Sequence, residues 1–395
     1  MGTLLRYELK KLLSRKLVWI LLAVSLAALA FYNWPILQAG TNGEARGLRN
    51  IYKQYEGRVV TDAFKQEVRQ AYDKYVAAHP GSFEINNWEG EDYYFSNDEG
   101  YHTGVWRAYE EIIGTQSVEA QEKSLNEIKD LLKSGVHDDG RPLEFYSRER
   151  YEVMARNGIT TPVIRYAWGW KHLYGMDTIV PGVLLLFILG FGLLPVFYAE
   201  RTARMEGMTL CARSQSKMAA AKLLAASCFT VGVALLFYGF NVAVAAVVYG
   251  LDGASLPQTA INYWDGSTGA WTLGASYALS SLAIVLAALA CAALVCISST
   301  LFRHPLLSLL CASVSIALQI VAADTLSHSL LQMSSPFWYQ LNDYFAKLPA
   351  MTLVHQYIGS MAQANNAVFL IACPALIIAL CCWLAPRLFL RRRKA

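Results

Sequence analysis

A chain of 395 residues in which 55% are hydrophobic and 16% charged is poor in charge for a soluble protein, where about 25% is ordinary, and suits a chain with several membrane spans. Its net charge of +4 has two addresses: residues 39–177 hold 17 Lys/Arg against 23 Asp/Glu, and the remainder holds 17 against 7. The basic excess lies in short segments beside apolar runs, which speaks for anionic headgroups and against nucleic acid as its partner.

All eight cysteines (Cys211, Cys228, Cys291, Cys296, Cys311, Cys373, Cys381 and Cys382) fall in or beside the apolar runs. None falls in residues 39–177, so no disulfide is expected to hold that region. The Cys381-Cys382 pair reads as lipid-facing or packed between helices rather than metal-bound, since no His or carboxylate pattern accompanies it.

The first sixteen residues, MGTLLRYELKKLLSRK, place Leu5, Leu9, Leu12 and Leu13 on one helical face, with Arg6, Lys10, Lys11, Arg15 and Lys16 elsewhere. This spacing predicts a cytoplasmic interfacial helix whose leucines enter the headgroup boundary. Residues 17–37 then form the first span, with Tyr32 and Trp34 at the far interface. The competing reading is a cleaved signal peptide ending near Ala28-Leu29-Ala30, but the apolar run continues past that point.

Residues 39–177 are of ordinary domain size and read as a mainly helical extracytoplasmic domain. Val60, Phe64, Val68, Ala71 and Tyr75 keep a helical period that His79-Pro80-Gly81 ends. Val118, Leu125, Ile128 and Leu132 mark a second helix closing near Gly135, and residues 145–155 suggest a third. The stretch 75–106 holds no Lys or Arg, whereas Glu84, Glu89, Glu91, Asp92, Asp98 and Glu99 alternate with Trp88, Tyr93, Tyr94 and other rings. Two readings stand: a small domain's aromatic core with a solvated acidic rim, or a surface for a cationic, amphipathic ligand. On the second, Trp88, Tyr93, Tyr94, Glu91 and Asp92 are the ligand-binding candidates.

The stretch that organises the rest is 178–251. Residues 178–199 and 223–251 are uncharged runs of 22 and 29 residues, each reaching the ~20 residues a bilayer requires. Between them, the segment 200–222 carries five Lys or Arg and two Glu and is expected in the cytoplasm. Residues 252–274 hold no Lys or Arg and belong outside. Uncharged residues 277–302 return the chain, Arg303-His304-Pro305 makes a short cytoplasmic turn, and 305–323 crosses outward again. Residues 327–366 are too apolar for a free loop and predict short re-entrant helices buried against protein. A last span over 367–386 ends at Arg387, Arg391, Arg392, Arg393 and Lys394. The fold class expected is thus an all-α integral membrane protein with six transmembrane helices and a large helical domain between the first two. Cytoplasmic segments carry 16 Lys/Arg and the short outer loops one, which puts both termini inside the cell membrane.

No GxxxxGK[ST], HExxH, GxSxG or CxxC occurs, and the seven histidines are dispersed. The chain is therefore expected to carry no catalytic residue, metal or cofactor of its own. Its spans also lack the midplane charges of ion-coupled carriers, so its energy is expected from a separate subunit.

The opening LLRYELKKLLSRKLVWILL, the segment PVFYAERTARMEGMTLCARSQSKMAAAKLL (195–224) and the tail APRLFLRRRKA resemble ABC-2-type permeases over roughly 250 residues of membrane part. The resemblance implies a half-transporter that pairs with a second permease and with ABC ATP-binding subunits, ATP being bound by those partners. It also implies that the 200–222 loop is a coupling helix on the ATPase, a role falling on Glu200, Arg201, Arg204, Glu206 and Gly207. The connecting helix, through Arg6 and Glu8, is implied to touch the same ATPase. Simple positive-inside topology is the competing account of these charges. The function expected is export of a hydrophobic or amphipathic substrate; the alternative is a membrane-anchored sensor whose outer domain binds a ligand without transport.

Overall fold

The computed structural model describes residues 2–79, 84–86, 92–94, 100–136, 148, 151–152, 154–156, 161–175, 179–197, 215–257, 272–302, 304–330, 348–354 and 364–391. These are overwhelmingly helical. In chain order come α1 (Gly2–Leu13), α2 (Lys16–Tyr32), α3 (Trp34–Thr41), α4 (Glu44–Tyr55) and α5 (Asp62–Ala78). A hairpin of β1 (Glu84–Asn86) and β2 (Asp92–Tyr94) follows, then α6 (Gly100–Gly114), α7 (Val118–Ser134) and α8 (Trp168–Gly175). The remainder is α9 (Ile179–Leu193), α10 (Gln215–Val248), α11 (Leu273–Leu301), α12 (Pro305–Leu330), α13 (Pro349–Val354) and α14 (Ala364–Arg391).

Four stretches are long and apolar enough to cross a membrane: Val180–Phe197, Ser216–Val248, Leu273–Leu301 and Leu370–Leu388. The α1–α2 pair, bent by 66°, makes a fifth if it counts as one span, and Pro305–Val321 is a shorter apolar stretch. The chain is a multi-pass membrane protein. The first span expected over 17–37 is interrupted: α2 stops at Tyr32 and α3 starts after Asn33. Pro35 lies at the start of α3, where it has no N–H to give and its ring crowds the preceding turn, so one continuous helix is broken there.

Two compact units emerge: residues 1–32, 177–240 and 277–395 form one, and residues 33–176 with 241–276 form the other. The first unit is built on an apolar core that includes Leu12, Leu29, Leu189, Phe197, Phe229, Phe237, Ile284 and Val295. Leu5 and Leu9 of α1 pack against this core and Leu12 belongs to it. The leucine face of α1 thus lies on protein rather than in headgroups, while Leu13, expected on that face, is 40% exposed. Within 327–366, short α13 is buried in the same core through Ala350 and Leu353. Its start is satisfied without water: Pro349 needs no acceptor, and Gln319 Oε1 of α12 accepts the Ala350 N–H at 3.1 Å.

The second unit is centred on α4 crossing α6. A Cβ on Gly47 would overlap the Tyr101 carbonyl, and one on Gly104 would overlap that of Glu44. Glycine at both positions lets the two backbones touch. Around the crossing, Tyr55 meets Phe64 and Tyr109 edge-on, and Tyr52 meets Tyr166. The helix over 62–78 starts on Thr61, whose hydroxyl accepts from Phe64 N, and α7 starts on Ser117, which accepts from Ala120 N. The two starts also hold each other, because Ser117 Oγ donates to Asp62 Oδ1 and Asp62 N donates to Glu119 Oε2. Gly135, at φ +70°, ends α7.

Residues 241–276, read in the sequence as a span end and an outer loop, belong to this unit because its side chains cap their carbonyls. Tyr166 Oη and Arg49 Nη2 donate to Tyr249 O, Trp170 Nε1 donates to Leu251 O, and Tyr174 Oη donates to Leu273 O. Tyr249 and Leu251 follow α10, where the helix leaves carbonyls without intrahelical partners. The acidic stretch holds the two-strand hairpin, with Glu84 opposite Tyr94 and Asn86 opposite Asp92, so that part of the domain is not helical.

Candidate functional site

Among its described residues the first unit buries an ion pair between Glu8 and Lys222. Glu8 of α1 is 5% exposed and Lys222 of α10 is fully buried. Lys222 Nζ donates to Glu8 Oε1 and Oε2, both at 3.1 Å, and to Val196 O at 3.3 Å. These three acceptors match the three N–H bonds of an ammonium. The arrangement follows from helical periodicity. Glu8 stands one turn before Leu12, so the inward face of α1 carries a carboxylate between leucines. On α10 the buried stripe runs through Met218, Ala219, Lys222, Ala225, Ala226 and Phe229. Its alanines leave room for the lysine stem to reach the carboxylate.

A carboxylate and an ammonium removed from water are tolerable only together. Removing one partner of such a pair costs about 3–5 kcal/mol. The knot therefore holds α1, the start of α10 and the segment after α9 at one point. Val196 and Lys222 flank the basic segment: 196 lies just before it and 222 is its last residue.

The expected contact residues divide accordingly. Arg6 is exposed on α1, beside Tyr7 at 62% exposure and Leu4 at 37%. Glu8 faces the opposite way, its side chain 7% exposed against Lys222. A carboxylate on the leucine face has to follow that face inward and find a cation there. Glu200, Arg201, Arg204, Glu206 and Gly207 lie outside the described residues, as do Trp88 and Glu91. Asp92, Tyr93 and Tyr94 form β2, paired with Asn86, Ile85 and Glu84.

Sequence reasoning missed Lys222 as a site residue, treating it as the end of a basic loop. The signal was there: one lysine interrupts a stripe of small residues at helical spacing, and one acid interrupts the leucine face of α1. Among the described residues no group of three His, Cys, Asp or Glu side chains comes together to hold a metal.

The second unit carries its charge in half-buried pairs. Arg107 pairs with Glu44 across the α4–α6 crossing, and Lys171 of α8 pairs with Glu111 of α6 while lying over the Trp168 ring. Burial pushes the Glu44 carboxyl above its usual range, and Arg107 pulls it back only in part.

No family model, curated protein or solved structure matches the chain.

Proposed function

We propose that the chain is the membrane-spanning subunit of an ATP-binding-cassette exporter of the ABC-2 permease type, moving a hydrophobic or amphipathic substrate across the cell membrane. In this reading it crosses six times with both termini in the cytoplasm, and the domain over residues 39–177 lies outside. A partner ATPase binds and hydrolyses ATP, a second permease completes the path, and the 200–222 segment receives the stroke. The observation that carries the reading is the Glu8–Lys222–Val196 knot. A push on a short charged segment moves the bundle only if its flanks are rigid, and here both flanks and α1 are tied by one buried ion pair.

The test is recovery of the tagged full-length chain from its own membranes. A co-purifying nucleotide hydrolase, and loss of its stimulation in Arg201→Glu/Arg204→Glu chains that still insert normally, are expected. A chain that supports its cellular response with no hydrolase attached overturns the reading in favour of a ligand sensor.

A further inference from the structure

The helix α8 and the segment 249–251 are fastened by bonds that need no charge. Tyr166 Oη reaches Tyr249 O at 2.9 Å and Trp170 Nε1 reaches Leu251 O at 3.1 Å. At Gly169 a Cβ would overlap the Gly250 carbonyl, so the backbones are in direct contact there. Beside this joint lies an imidazole. His172 lies 5.7 Å from the Tyr249 ring, one helical turn from Trp168, which lies 6.0 Å from the same ring. Its Nε2 is buried and has no hydrogen-bond partner.

Among the described residues the charged groups around the joint have other partners: Lys171 pairs with Glu111, Arg107 with Glu44, and Arg49 with Asp252 and the Tyr249 carbonyl. Glu111 Oε2 is buried without a hydrogen-bond partner, and His172 Nε2 bonds to none of these groups. Burial accordingly holds the imidazole below the ordinary histidine range. A second proton on this ring places a charge in a buried site where Nε2 has no hydrogen-bond partner.

We propose that His172 makes the docking of α8 on residues 249–251 acid-labile, so that protonation of its imidazole frees α8 from the end of α10. The linkage has a definite sign. A histidine lowered in the docked form takes its proton more readily when undocked, so the opened form binds more protons at mildly acid pH. Docking stability is fully present above about pH 6.5, the ordinary histidine value, and is lost as pH falls toward the lowered one. Residues 249–251 leave α10 and Leu273 begins α11, so within this unit the joint ties the end of one apolar helix and the start of another. The proposal does not depend on ATP-driven transport.

The experiment is hydrogen exchange of the full-length protein in nanodiscs at about pH 7.5 and about pH 5, corrected for the intrinsic rate. Peptides covering 161–175 and 245–257 are expected to lose protection several-fold at the lower pH, while peptides from the second half of α11 and from α14 hold theirs. In His172→Phe, protection at the higher pH is retained and the acid response disappears; His172→Gln serves the same purpose if the larger ring disturbs folding. Equal protection at both pH values in the wild type overturns the proposal. So does an acid response that survives in the His172 variants.

Discussion

Lys222, on the tenth helix, gives its ammonium hydrogens to acceptors brought from elsewhere, among them both carboxylate oxygens of Glu8, 214 residues earlier, and the carbonyl of Val196. The pair is almost wholly out of water, so its attraction is little screened and its partners depend on each other. Mechanically this makes α1 part of the bundle rather than an oar floating beside it.

Breaking this pair from one side should be costly and mending it should be possible. Glu8→Gln or Lys222→Met is expected to lower stability by about 3–5 kcal/mol, through the charge left without its counterpart. The double replacement Glu8→Met/Lys222→Leu should recover most of that loss, since apolar residues of similar volume are often neutral at such sites. Thermal unfolding of the detergent-solubilised chain reads both. If stability returns in the double variant while ATPase stimulation stays absent, the pair serves force transmission and not merely folding.

The α4–α6 crossing should be intolerant of a single methyl. An exposed helical Gly→Ala change gains about 1 kcal/mol from propensity, but at Gly104 the added Cβ meets the Glu44 carbonyl and at Gly47 that of Tyr101. Gly104→Ala is therefore expected to be destabilising by about 1–3 kcal/mol, against a stabilised Gly114→Ala control, where nothing lies within reach of a new Cβ. Limited proteolysis of the second unit distinguishes the two; equal resistance in both variants refutes the close crossing.

Helix starts at Thr61 and Ser117 should prove unequal. Each side chain accepts one backbone N–H, a contribution of about 1 kcal/mol. Ser117 also donates to Asp62, so Ser117→Ala loses two bonds and leaves Asp62 short of a donor. Its penalty should exceed that of Thr61→Ala, measured as the shift in unfolding midpoint. The reverse order would show that the contact between the two helix starts contributes nothing.

Topology has its own measurement. A cysteine placed at Gly207 is expected to resist an impermeant thiol reagent added to intact cells and to react once the membrane is opened. Cysteine at Ser255, on the segment leaving α10, should behave in the opposite way. Labelling of Gly207→Cys from outside would remove the coupling segment from the ATPase's side and the proposed function with it.

Helices whose identity rests on local chemistry were legible beforehand. The capped start and Gly135 stop place α7 within a residue of the expected limits, and the breaker His79-Pro80 stands where α5 ends. By contrast α4 and α6 escaped notice, because their meeting faces are glycine and tyrosine rather than a leucine stripe, and only contact reveals that glycine is there for proximity. The short hairpin escaped likewise, since three-residue strands carry too little alternation to read.

From composition alone one learns that this chain lives in a bilayer and roughly where it crosses, because the length of an uncharged run is measured against a fixed hydrocarbon thickness. Neighbours distant in sequence could not be learned that way. That Glu8 answers Lys222, that residues 241–276 join 33–176, and that His172 Nε2 is buried without a hydrogen-bond partner were decided by packing, since desolvation and pairing depend on what the folded chain brings alongside.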